Sequence, residues 1–75
     1  MSKLNWDYIL VKLLKPGDME SGDQFLFELA DHKATIVDTL EETSAHTIYK
    51  VKVLKGNTDK LVRKLHQWKD WYQVL

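Results

Sequence analysis

Apolar residues along the chain fall into short blocks separated by polar, turn-forming residues. Trp6 to Leu14 is nearly continuous apolar and carries β-branched Ile9 and Val11, which predicts a central strand buried on both sides. A helix competes for these residues, but on helical geometry Trp6 and Leu13 fall opposite Leu4, so no stripe forms. Gln24 to Ala30 alternates, with Phe25, Phe27 and Leu29 facing one way and Gln24 and Glu28 the other, and reads as a second strand. Ala34 to Leu40 is rich in Thr, Ile and Val and reads as a third strand. A helix stays open there, because Ile36, Val37 and Leu40 also share a helical face. Thr47 to Lys55 is the clearest strand, with Tyr49, Val51 and Val53 on one face and Lys50 and Lys52 on the other.

Turn residues punctuate these blocks. Pro16-Gly17-Asp18 and Ser21-Gly22-Asp23 bound a first loop, and Asp31-His32-Lys33 marks a second. Residues 41–46 form a polar third connection, and Gly56-Asn57-Thr58 a fourth. The C-terminal segment then reads as one long helix. Asn57 or Thr58 can cap it, and Asp59 suits the positive end of the helix dipole. Leu61, Leu65, Trp68, Tyr72 and Leu75 recur at spacings of 4, 3, 4 and 3, a single apolar stripe that packs on the sheet. The expected fold class is α+β: a small three- to four-stranded, mostly antiparallel sheet with one C-terminal amphipathic helix packed on one face, in a single domain over residues 1–75.

Composition narrows the picture. The 75 residues are 44% hydrophobic and include three Trp, three Tyr and two Phe, too apolar for a disordered tail. The absence of Cys removes disulfides and thiolate metal sites, so stability must come from the core or from self-association. No run approaches the ~18 apolar residues of a membrane span. The N-terminus lacks the pattern of a secretory signal. A soluble, cytoplasmic protein without a membrane partner is expected.

Charge adds an asymmetry. The formal net charge is zero, yet residues 1–15 carry +2, residues 16–49 carry −7 and residues 50–75 carry +5. Such a split bears on partners. The two halves either neutralise each other across the sheet or present separate faces.

Little points to catalysis. Ser2, Ser21 and Ser44 are terminal or in loops, and none sits in a nucleophile elbow. His32, His46 and His66 are isolated, adjacent Asp31 and His32 point apart on a regular element, and no metal site is expected. The acidic stretch from Asp18 to Asp23 lacks the spacing of a calcium loop. Gly17, Gly22 and Gly56 make no phosphate cradle, and no cofactor is expected. The chain reads as a non-enzyme.

Binding is better supported. Lys60, Lys64, Gln67 and Trp71 recur at spacings of 4, 3 and 4, a second stripe beside the apolar one. Trp71 either widens the core, with lysine stems lying over it, or anchors a ligand in a basic field. Lys50 and Lys52 stand on the sheet face away from the helix. That face lacks the exposed aromatic pair on which bases stack, which counts against nucleic acid, as does the zero net charge. The leading expectation is a small protein-binding module with a charge-polarised surface, compatible with a homodimer. Its candidate residues are Lys50, Lys52, Lys60, Lys64 and Trp71. The alternative is nucleic-acid binding through the same basic strand and helix. No segment carries a motif specific enough to name a family.

Overall fold

The computed structural model describes residues 5–14 and 19–75, with side chains from residue 24 onward in the second stretch. The order is β1 (Trp6–Leu13), α1 (Met19–Asp31), β2 (Ala34–Glu42), β3 (Thr47–Leu54), α2 (Thr58–His66) and β4 (Tyr72–Val74), with a short 3₁₀ turn, Lys55–Asn57, before α2. The sheet is antiparallel in the order β2-β3-β1-β4. Each helix therefore connects two strands that flank a third, the split βαβ unit occurring twice.

The α+β class and the mostly antiparallel sheet hold. The single C-terminal helix does not. Gln24–Ala30 lies inside α1, not in a strand, and so do Ser21, Gly22 and Asp23. On α1, Phe25, Glu28 and Leu29 turn inward at helical spacing, while Leu26 and Phe27 point to solvent. The Phe25-Phe27-Leu29 alternation is a coincidence between a strand period and a sequence of good helix formers. The first-loop residues Pro16, Gly17 and Asp18 lie outside the described residues.

The C-terminal helix also stops early. α2 ends at His66, a turn carries the chain through Trp71, and β4 follows. Arg63, Lys64 and His66 crowd the last turn of α2, where the negative end of the helix dipole favours them. Leu61, Leu65 and Tyr72 are still buried and Trp68 still packs on the core, but Tyr72 arrives from a strand and Leu75 is exposed. β4 is held at the sheet edge by β1. Beyond the ladder itself, the Leu14 N–H donates to the Trp71 carbonyl at 2.7 Å and the Leu75 N–H to the Leu10 carbonyl at 2.8 Å.

The core lies on one side of the sheet. Val11 and Leu13 of β1, Val51 and Val53 of β3 and Tyr72 of β4 pack against Phe25 and Leu29 of α1 and Leu61 and Leu65 of α2. The Phe25 ring stacks on Tyr49 at 5.5 Å and meets Tyr72 at 4.9 Å. β1 is central, as expected, but buried on one side only. Its second apolar set, Trp6, Tyr8 and Leu10, faces away from both helices.

β2 is the other edge. Its register against β3 shifts between Ile36 and Asp38 and again between Thr39 and Glu41, so Val37 and Leu40 are extra residues. Bulges and charges of this kind blunt an edge against strand addition.

Candidate functional site

Direct partners across an antiparallel sheet share a face, so the registers define the open side. β1 and β3 contribute Trp6 opposite Leu54, Tyr8 opposite Lys52, Leu10 opposite Lys50 and Lys12 opposite Ile48. β2 adds Thr35 beside Lys52, Asp38 beside Lys50 and Glu41 beside Ile48. β4 adds Gln73 beside Lys12.

Two aromatic rings stand on this face under two ammonium groups. Lys50 Nζ lies 4.9 Å from the Tyr8 ring centroid, and Lys52 Nζ lies 5.0 Å from that of Trp6. Each lysine reaches one diagonal step along the sheet. A cation at this range is drawn to the negative face of the ring, by about 0.5–1 kcal/mol at an exposed site. Tyr8 is 56% exposed and Leu10 36%. Among the described residues, neither helix covers this side.

The five candidate residues divide between two surfaces. Lys50 and Lys52 are together on the open face. Lys60 and Lys64 are on α2, across the sheet from them. Lys60 is exposed, whereas the Lys64 ammonium is 3.8 Å from the buried Glu28 carboxylate. Trp71 is not on a helix and packs against the core, its backbone N–H donating to the Trp68 carbonyl at 2.8 Å. The Lys60-Lys64-Gln67-Trp71 stripe therefore does not exist, because its last two members lie beyond the end of α2.

The charge split also has a location. Acidic β2 runs beside basic β3, with Asp38 directly opposite Lys50. The histidines stay apart among the described residues. His46 contacts Glu41, His32 approaches Glu28 at 3.8 Å, and His66 is exposed.

Trp6 and Tyr8 escaped the sequence reading. The signal was present as parity: Trp6, Tyr8, Leu10 and Lys12 alternate with Ile9, Val11 and Leu13. A continuous apolar run conceals that alternation when both faces are assumed buried.

No helix of the described residues is long and apolar enough to cross a membrane. No protein family, curated protein or solved structure matches the chain.

Proposed function

We propose that the chain is a small non-enzymatic module that binds single-stranded nucleic acid on its open sheet face. The observation that carries this reading is the Trp6–Tyr8 pair on β1 beside Lys50 and Lys52 on β3. Four-stranded sheets that recognise RNA use exposed aromatics on their central strands as stacking platforms, with cations nearby for the phosphates. Tyr8, exposed, and Trp6, half-buried, supply the aromatic pair. Bases would stack on the rings as the lysine ammonium groups swing from the rings to the backbone phosphates.

A protein partner at the same face is the second reading, and a specific feature favours it. Asp38 and Glu41 border the lysines, and Leu10, Ile48 and Leu54 add apolar area, giving the mixed surface of a protein interface. A homodimer is one form of it.

Titration of labelled single strands onto the full chain separates the two. Loss of a stacked base costs about 1–3 kcal/mol, so Tyr8→Ala should weaken binding roughly 5- to 150-fold. Lys60→Ala, on the helix side, should leave binding unchanged. Failure of the native chain to bind at low salt would remove the nucleic-acid reading. Sedimentation as a dimer at micromolar concentration, abolished by Tyr8→Ala, would then establish the other.

A further inference from the structure

We propose that the C-terminal end of α1 is a divalent transition-metal site of the zinc type, with Glu28, Asp31 and His32 as ligands. This site is independent of the sheet face. The strongest pointer is a coincidence of unmet polar atoms. Among the described residues, Glu28 Oε2 and His32 Nε2 are the buried side-chain polar atoms without a hydrogen bond. They lie 3.8 Å apart, and the Glu28 side chain is only 7% exposed. Asp31 Oδ2 stands 3.9 Å from the same His32 nitrogen. One donor atom from each of the three residues lies within 4.8 Å of the others.

Separations of 3.8–3.9 Å are too long for hydrogen bonds. They suit donors that share an ion. Two ligands at about 2.0–2.2 Å from one zinc sit roughly 3.3–4 Å apart, so the widest pair, within 4.8 Å, closes on binding through the exposed Asp31 side chain. One imidazole and two carboxylates form a donor set that zinc and its first-row neighbours accept. Three protein ligands leave a coordination position for water.

The local sequence builds this geometry. Glu28 and His32 are four apart, so they stack on one helical face, and the His32 N–H still donates to the Glu28 carbonyl at 3.1 Å. The expectation that Asp31 and His32 point apart fails because the helix ends between them. Lys33 takes a left-handed φ of 52° and turns the chain back toward β3. Asn57 Nδ2 donates to the His32 carbonyl at 3.1 Å, and the Leu54 N–H to the Lys33 carbonyl at 3.3 Å, which fixes the backbone under the ligands.

Electrostatics agrees. The last turn of α1 holds two carboxylates and no basic residue, at the negative end of the dipole. Such an end attracts a cation. α2 contributes Lys64, whose ammonium is 3.8 Å from Glu28 Oε2 and whose side chain is 40% exposed. Lys64 balances Glu28 in the metal-free chain and swings outward when an ion takes its place.

The test is calorimetric titration of ZnCl₂ into the untagged, metal-stripped full chain, with histidine ring nitrogens followed by NMR. The expected result is one zinc per chain, a shift confined to the His32 ring and a raised thermal midpoint. Asp31→Asn, at a 65% exposed side chain that can change without unfolding the chain, should raise Kd at least tenfold. His32→Gln should abolish binding, and His46→Gln should change nothing. Lys64→Met should tighten binding several-fold, which a merely structural ion pair would not produce. Absence of binding at millimolar zinc overturns the proposal. So does binding that survives both Asp31→Asn and His32→Gln, or that disappears in His46→Gln.

Discussion

Lys33 occupies a conformation that costs an L-residue about 1–2 kcal/mol, with φ at 52° just past the end of α1. Glycine is the usual residue there. Lys33→Gly should therefore raise stability by about 0.5–1 kcal/mol, the relief of strain being partly offset by glycine's greater freedom in the unfolded chain. Chemical denaturation measures it, and an unchanged or lower midpoint would contradict the assigned turn. Asn57 shows a related departure. It stands at the N-cap of α2 but makes no capping bond, and its amide holds the His32 carbonyl instead. Thr58 also looks elsewhere, its hydroxyl donating to the Asp7 carboxylate at 3.1 Å. Both residues tie α2 to other elements, a role that spacing along the chain does not reveal.

At the scale of elements, the two phenylalanines of α1 offer a sharp contrast. Phe25 is 1% exposed and Phe27 68%. Phe25→Ala should cost about 3–5 kcal/mol and Phe27→Ala no more than about 0.5 kcal/mol. Equal losses, measured by denaturation, would indicate the strand that their alternation suggests. β1, β2 and β3 were legible through their β-branched residues, and β3 through period-two patterning as well. α1 was not, because Phe25, Phe27 and Leu29 satisfy a strand while Phe25, Glu28 and Leu29 satisfy a helix, and only packing decides. The end of α2 was hidden by Trp68 and Tyr72, which continue the helical period yet reach the core by another route. The basic cluster Arg63, Lys64 and His66 was the available stop signal. Of the candidate residues, Lys50 and Lys52 were legible from strand parity alone. Lys60 and Lys64 lie on α2 as their spacing suggests, whereas Trp71 depended on a helix that ends before it.

For the whole molecule, a net charge of zero conceals local balances. Asp38 sits beside Lys50, and Glu28 faces Lys64 across the two helices. The open face nonetheless holds Lys12, Lys50 and Lys52 against Asp38 and Glu41, with both aromatic rings among the lysines. A neutral protein can thus present a small cationic platform on one side of its sheet. If these three lysines meet phosphates, log affinity should fall with log salt at a slope of about −2. The most direct measurement is the affinity for a labelled single strand at about 50 mM and about 200 mM salt. Affinity should drop roughly 15- to 20-fold over that range, and the slope should be shallower by about 0.7 for Lys52→Ala. Binding that ignores salt and the Lys52→Ala change, or no binding at the lower salt, would contradict the nucleic-acid reading.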